Sequence, residues 1–86
     1  MNLVKLNITS PEGSLFKGQV CSISLRGVEG DLAIMAGHIP FVTPVKPCEI
    51  RIEIEDGSTV RGKIDGGLLT VSENDATLLT GAMEIL

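Results

Sequence analysis

The sequence predicts an all-β fold, a β-sandwich or a barrel, and three observations support this. Ten glycines and four prolines divide the 86 residues so often that no long helix fits between them. Between these breaks apolar and polar residues alternate, which is the period of a strand with one buried face. Turn residues then separate the short runs at close intervals, as they do in sandwiches and barrels.

Three runs show the alternation most clearly, with an apolar side chain at every second position. The apolar positions are Val4, Leu6 and Ile8 in the first run, Cys21, Ile23 and Leu25 in the second, and Ile50, Ile52 and Ile54 in the third. In the third run a helix would distribute Arg51, Glu53 and Glu55 around its surface, whereas a strand gathers them on one face. The three runs therefore predict strands.

The residues after the third run predict a hairpin. Asp56-Gly57 is typical of a tight turn in which both central residues have positive φ. The returning strand carries Arg61 and Lys63 on one face. We expect these bases to pair across the hairpin with Glu53 and Glu55, at about 0.2–1 kcal/mol per pair.

A second hairpin is predicted near the C-terminus. Residues 68–71 and 77–80 have the composition of strands, and the Ser-Glu-Asn-Asp sequence at 72–75 favours a turn between them. The final residues form no polar tail. We therefore expect ordered structure nearly to the end of the sequence.

Length and composition indicate one domain, residues 1–86, with an aliphatic core. Apolar residues make up 43% of the sequence, yet Phe16 and Phe41 are the only aromatic residues. The net charge is −4, so both the basic surface and the aromatic platforms that nucleic-acid binding uses are scarce. Cys21 and Cys48 lack metal or redox spacing and are expected to be buried thiols, although a disulfide stays open. The sequence shows neither a signal peptide nor an 18-residue apolar stretch, which predicts a soluble, cytosolic protein.

No residue pattern predicts catalysis, a cofactor or a metal ion. His38 is the only histidine, but no serine or cysteine nearby forms a nucleophile motif. Its place after Gly37 and before an Ile-Pro step indicates a turn or an interface. The aspartates lie beside turns, where their side chains bond the backbone. Asp65-Gly66-Gly67 lacks the Gly-Lys-Ser/Thr ending of a phosphate-binding loop, so we expect contact surfaces rather than an active centre.

The apolar run at residues 32–36 allows two interpretations. Short apolar runs are usually buried strands. Turns at 27–30 and at Gly37 bracket this run, so it could instead be half-buried and leave Ile34 or Met35 exposed as an anchor for a partner. On the second interpretation, Ile34→Asp or Met35→Asp would leave the domain folded.

Residues 30–42 carry the most specific pattern. They read Gly-Asp-Leu-Ala-Ile-Met-Ala-Gly-His-Ile-Pro-Phe-Val, which resembles the G-E-L-G-I-x-P-G-H-A-P-L segment of the epsilon subunit of rotary F-type ATP synthases. Other motifs follow the order of that family over almost the whole sequence. They are a serine turn at 10–12, F-x-G-x-V at 16–20, Lys-Pro at 46–47, Gly-Gly at 66–67 within the family's S-G-G step, and Leu-Leu at 78–79.

The resemblance implies a fold, partners and contact residues. The fold is the flattened β-sandwich of the family's N-terminal domain, with about ten strands in two sheets. The subunit is non-catalytic, is present in one copy, and joins the gamma subunit to the polar loops of the membrane ring of c subunits, at the cytoplasmic face of a bacterial membrane. By resemblance, the residues that face the ring are Gly30, Asp31, Ala33, Ile34 and Met35, and those near gamma are Ser10, His38 and Thr43.

Some residues depart from the family pattern. Asp31 replaces a glutamate and keeps its charge, but an exposed ion pair to a ring loop contributes only about 0.2–1 kcal/mol. Apolar anchors must therefore supply most of the binding energy. Ala33 and Ala36 stand where Gly and Pro are common, and Gly81 stands where an acid is typical. The sequence ends at Leu86, where the family's inhibitory helical hairpin would begin, so we expect no inhibition in cis.

Two other functions stay open on the residues alone. A free-standing β-barrel module that binds a small ligand or a carrier domain would have a concave pocket and would act without gamma, but it gives no reason for the pattern at 30–42. A small hydrolytic enzyme would require His38 to have a nucleophile and an orienting acid.

Overall fold

The computed structural model describes residues 3–27, 30–37 and 39–86, except the side chains of residues 26 and 27. Nine strands lie in these ranges. They are β1 (Val4–Ser10), β2 (Gly13–Gly27), β3 (Gly30–Met35), β4 (Phe41–Val45), β5 (Cys48–Ile54), β6 (Thr59–Ile64), β7 (Gly67–Val71), β8 (Asp75–Thr80) and β9 (Met83–Ile85). The described part of the chain contains no helix, and thus none that could cross a membrane. The all-β prediction is confirmed.

The nine strands form one hydrogen-bonded sheet, folded over into a β-sandwich, where the resemblance implied about ten strands in two sheets. The strand order is β1-β8-β7-β4-β2-β5-β6-β9, with β3 also beside β2. One half of the folded sheet contains β1, β8, β7 and β4, and the other contains β5, β6 and β9. Strand β2 belongs to both halves because it is 15 residues long. Its first part pairs with β1, and its second part pairs with β3 and β5. A register shift between Val20 and Ser22 marks a bulge, which allows this strand to bend.

The core is aliphatic, as predicted. The buried side chains are Val4, Leu6, Ile8, Val20, Ile23, Leu25, Ile34, Val45, Ile50, Ile52, Ile64, Leu69, Val71, Ala76 and Leu78. Phe16 and Phe41 pack only at its margin. Cys21, at the β2 bulge, and Cys48 are partly buried thiols that no disulfide joins. The alternation thus identified the buried positions of all three runs, apart from the partly buried Cys21 and Ile54.

The β5–β6 turn differs from the prediction. Gly57 has a φ of +92°, but Asp56 has a negative φ. The Gly57 N–H donates to the Ile54 carbonyl at 3.0 Å, and the Ile54 N–H donates to the Ser58 carbonyl at 2.9 Å. The loop therefore has three residues with a single left-handed glycine, instead of two residues that both have positive φ.

The longer loop also changes the predicted charge pairing. Arg61 lies opposite Arg51, and Lys63 lies opposite Glu49. The Arg61 Nε donates to Glu49 Oε1 at 2.8 Å. The expected pairing of Arg61 with Glu53 or Glu55 is wrong: the register places both Glu49 and Glu53 diagonally across from Arg61, and the arginine binds Glu49.

The second predicted hairpin is confirmed, and its turn joins other parts of the sheet. Strand β7 pairs with β8 in antiparallel orientation. The Glu73 carbonyl accepts the Gly37 N–H at 2.9 Å, and the Asn74 carbonyl accepts the Lys5 N–H at 2.9 Å. This turn therefore fixes the segment that follows β3 against the rest of the domain.

Candidate contact surfaces

Strand β3 presents most of the residues that the resemblance assigns to the ring. It pairs with β2, with Ala33 opposite Ser24 and Met35 opposite Ser22. Asp31, Ala33 and Met35 are exposed, and Met35 is 57% exposed. Gly30 begins the strand at a φ of +132°. We call Gly30, Asp31, Ala33 and Met35 the β3 surface.

Ile34 does not belong to this surface. Its side chain is 1% exposed and is part of the core. Successive side chains of a strand point to opposite faces, so Ile34 and Met35 cannot both be exposed. The expectation that Ile34 is an exposed anchor is wrong, and Met35 is the exposed large apolar residue of the run.

Of the residues assigned to gamma, Ser10 and Thr43 lie on β1 and β4, the first and last strands of the row β1-β8-β7-β4. His38 is outside the described residues. Ser10 ends β1, where its Oγ accepts the Glu12 N–H at 3.2 Å and so confirms the serine turn. Thr43 in β4 is half-buried, and its hydroxyl donates to the Pro44 carbonyl at 3.2 Å. Strands β8 and β7 separate β1 from β4, which corresponds to about 14 Å at ~4.8 Å per strand.

An exposed uncharged face, which we did not predict from the sequence, lies between the two ends of this row. Pro44 of β4 is opposite Leu68 of β7, which is opposite Leu79 of β8. Val42 lies beside this row, opposite Thr70. Exposure is 60% for Val42 and 48% for Leu79. We call Val42, Pro44, Leu68, Thr70 and Leu79 the neutral face. Contiguous exposed apolar side chains of this kind mark interaction sites.

A sequence signal for the neutral face was present in two leucine pairs. In Leu68-Leu69 and Leu78-Leu79 the second apolar residue interrupts the alternation of a strand with one buried face. Leu69 and Leu78 are buried, while Leu68 and Leu79 are exposed. An apolar residue at a position that the alternation assigns to solvent therefore indicates an exposed apolar face.

Two open clefts, of about 670 and 490 Å³, share Pro47, Cys48 and Glu49 in their walls. The first also contains Asp31 and Arg51, and the second contains Lys63, Asp65 and Glu84. Side chains of both charge signs line them, so neither favours a ligand of one charge. Across the described ranges, no group of three or more His, Cys, Asp or Glu could hold a metal ion.

Residues 3–85 match the family described as the ATP synthase, delta/epsilon chain, beta-sandwich domain. The ATP synthase epsilon chains of Bacillus velezensis and Bacillus subtilis are 38% and 37% identical over 84 residues. That of Delftia acidovorans is 38% identical over 80 residues. The alignments cover 93–98% of this chain but only 58–63% of those relatives. The chain thus spans about three fifths of their length.

Two cryo-EM structures share the fold. A chain of the Euglena gracilis mitochondrial ATP synthase (OSCP/F1/c-ring) superposes with a TM-score of 0.93 at 23% identity, over 99% of this chain and 54% of that one. A chain of the Tetrahymena thermophila central stalk/c-ring has a TM-score of 0.78 at 14% identity, over 93% and 64%. The family match over residues 3–85 establishes that this chain belongs to the ATP synthase delta/epsilon chain β-sandwich family.

Proposed function

We propose that this chain is a non-catalytic epsilon-type subunit of a rotary ATP synthase and joins the gamma subunit to the ring of c subunits. It is a peripheral component at the cytoplasmic face of a bacterial membrane, present once per complex. The observation that carries the proposal is the presence of two separate exposed surfaces on one folded sheet. The neutral face lies on β4, β7 and β8, and the β3 surface lies on an adjacent part of the sheet beside β2. A subunit that transmits torque needs two such surfaces on one rigid body.

In this proposal the neutral face binds gamma. Its side chains are uncharged, so their desolvation costs little, and burying apolar surface yields about 25 cal/mol per Å² before the costs of association. Ser10 lies near one edge of this face, at the end of β1, and would help to fix orientation, whereas Thr43 lies opposite the buried Leu69 and its side chain points to the other side of β4. This assignment keeps Ser10 of the contacts that the resemblance implied and adds an exposed apolar area beside it.

In the same proposal the β3 surface binds a polar loop of the ring. Met35 supplies the apolar contact, and the Asp31 carboxylate orients a basic loop. Because an exposed ion pair contributes about 0.2–1 kcal/mol, the greater loss should follow a change at Met35. We also propose that a polypeptide of residues 1–86 does not inhibit ATP hydrolysis, since its described residues contain no helix to extend along gamma.

The proposal is tested by two binding titrations, one against gamma and one against the c-ring of the same organism. We expect stoichiometric binding to each. Leu79→Asp should weaken binding to gamma by about tenfold or more, because the interface would bury an unpaired carboxylate, and should leave ring binding unchanged. Met35→Asp should have the reverse effect.

Each variant thus serves as the control for the other, with circular dichroism to show that both stay folded. No binding of the wild-type chain to either partner would refute the coupling function. If both variants lost the same partner, the division into two surfaces would be wrong.

A further inference from the structure

Two connections between the halves of the sheet run side by side. Strand β6 leads into β7 through residues 65–66, and β8 leads into β9 through residues 81–82. Strands β7 and β8 are neighbours in one half, and β6 and β9 are neighbours in the other. The chain therefore passes between the halves twice at one place, and Asp65 lies on one of the two connections.

The Asp65 side chain accepts hydrogen bonds from the last residue of β8 and from both residues of the other connection. Its Oδ1 accepts hydrogen bonds from the Thr80 hydroxyl at 2.9 Å, the Gly81 N–H at 3.1 Å and the Ala82 N–H at 3.2 Å. Thr80 is buried, and its hydroxyl also lies 2.6 Å from the Gly66 carbonyl. We call Asp65 with residues 80–82 the clasp.

Gly81 is the residue that allows the clasp to close. A Cβ at position 81 would lie 2.7 Å from Asp65 Oδ2, which is closer than real Cβ contacts. A side chain at 81 and the carboxylate at 65 would compete for the same space.

Apart from the clasp, β9 is held by its pairing with β6 and by two further backbone hydrogen bonds, from the Asp65 N–H to the Ala82 carbonyl at 3.4 Å and from the Leu86 N–H to the Arg61 carbonyl at 2.9 Å. The strand has only three residues and pairs only with β6 among the described strands. Ile85 and Leu86 are more than half exposed, while Met83 is half-buried over Gly62. Short edge strands with few buried contacts open at lower free energy than the core. Release of β9 would uncover Gly62 and leave β6 as the edge of the sheet.

We propose that β9 is a strap, that the Asp65 clasp holds it closed, and that loss of the Asp65 charge opens it while the rest of the domain stays folded. Opening needs no change in the core, because β9 lies at the end of the strand order. This inference goes beyond the coupling function, which involves other strands.

Protonation of Asp65 is the natural trigger. The hydrogen bond from Thr80 is the first cause that lowers the pKa of Asp65 below its ordinary value of 3.8, and the Ala82 and Gly81 N–H groups add to it. Charge-assisted hydrogen bonds weaken when the acceptor is neutralised. The strap should therefore open as the pH falls below 3.8. The charged groups that share the cleft with Asp65 are Glu49, Lys63 and Glu84, and Lys46 lies on the adjoining segment.

The test is NMR on the full 86-residue chain, with two probes of β9 and one of the core. The probes of β9 are the Met83 methyl group and the Leu86 amide, which donates to the Arg61 carbonyl at 2.9 Å. The core probe is the Leu78 amide. In Asp65→Asn at pH 7 we expect the hydrogen-exchange rate of the Leu86 amide to rise about tenfold. The chemical shift of the Met83 methyl group should move toward that of an exposed methionine, and the exchange rate of the Leu78 amide should not change. In the wild type the same changes should appear only as the pH falls below about 4.

Gly81→Ala gives an independent test that keeps the carboxylate. As a single substitution it should open the strap at pH 7. Added to Asp65→Ser it should have little further effect, because the carboxylate that competes with the new side chain is then absent. The proposal is overturned if Asp65→Asn leaves Met83 and Leu86 unchanged, if Leu78 loses protection together with Leu86, or if Gly81→Ala has equal effects in both backgrounds.

Discussion

Ile34 and Met35 show how neighbouring residues acquire different roles. Both are apolar, and both lie in the segment that resembles the family pattern. Ile34 is 1% exposed within the core, whereas Met35 is 57% exposed on the other face of β3. One residue therefore contributes to the stability of the domain, and the other is available to a partner.

We expect Ile34→Asp to unfold the domain. A buried carboxylate without a partner costs more than ~4 kcal/mol, which is close to the whole stability of a small domain. Met35→Asp should change the free energy of unfolding by less than about 0.5 kcal/mol, as surface substitutions usually do. Urea denaturation measures both variants. Ile34→Val, with an expected cost of about 0.5–1.5 kcal/mol, is the control, and equal effects of the two aspartates would contradict the assignment.

At the scale of elements, the β7–β8 hairpin requires its two backbones to approach closely at Gly67 and Leu79. Gly67 has a φ of +154°, and a Cβ there would lie only 1.8 Å from the Leu79 carbonyl oxygen. Gly67 pairs with Thr80 at the end of the hairpin next to the clasp. A glycine is therefore required on both conformational and steric grounds, at the hairpin that carries three residues of the neutral face.

Gly67→Ala should destabilise the domain by more than ~3 kcal/mol, because a clash with backbone cannot be relieved by a side-chain rotation. Gly57→Ala is the matched control. Gly57 also has a positive φ, of +92°, but nothing lies within 4 Å of its Cβ position. Its substitution should cost only the conformational strain, about 1–2 kcal/mol. Thermal melts compare the two variants, and similar losses of stability would show that the close approach is unimportant.

At the scale of the whole molecule, two aspartates make stability depend on pH. Hydrogen bonds from the Ser58 hydroxyl and then from its N–H lower the pKa of Asp56, and the clasp lowers the pKa of Asp65. A carboxyl group whose pKa is lower in the folded state stabilises the fold above its unfolded pKa, and that contribution is lost as the pH falls through the folded pKa. Both contributions should thus be complete at neutral pH and disappear below 3.8.

Denaturant unfolding between pH 7 and pH 2 tests this dependence. The free energy of unfolding of the wild type should be flat down to about pH 5 and then fall. Asp56→Ala should be less stable than the wild type at pH 7, and the two curves should converge at low pH. Ser58→Ala, which removes one donor to Asp56, should reduce the pH dependence in the same direction. A difference that stays constant over the pH range would refute the role of the carboxylate.

The sequence by itself determined the fold class, the strands that alternate most clearly, the aliphatic core and the family. Alternation works at Ile50 and Ile52 because a strand with one buried face imposes it locally, and the segment at 30–42 is contiguous. The single-domain assignment and the contacts of Ser10, His38 and Thr43 stay predictions. The hairpin at Asp56-Gly57 was predicted correctly in place but not in register, since one more loop residue changes which side chains lie opposite each other.

Only the tertiary structure decided which residues form surfaces. The neutral face combines β4 with the β7–β8 hairpin, and more than twenty residues separate β4 from β7 along the chain. Whether Leu68 or Leu69 is the exposed leucine depends on which face of β7 the rest of the sheet covers. Likewise, Asp65 and Gly81 meet because two connections cross at one place. Such contacts are set by how distant strands pair, and local residue patterns carry no information about that pairing.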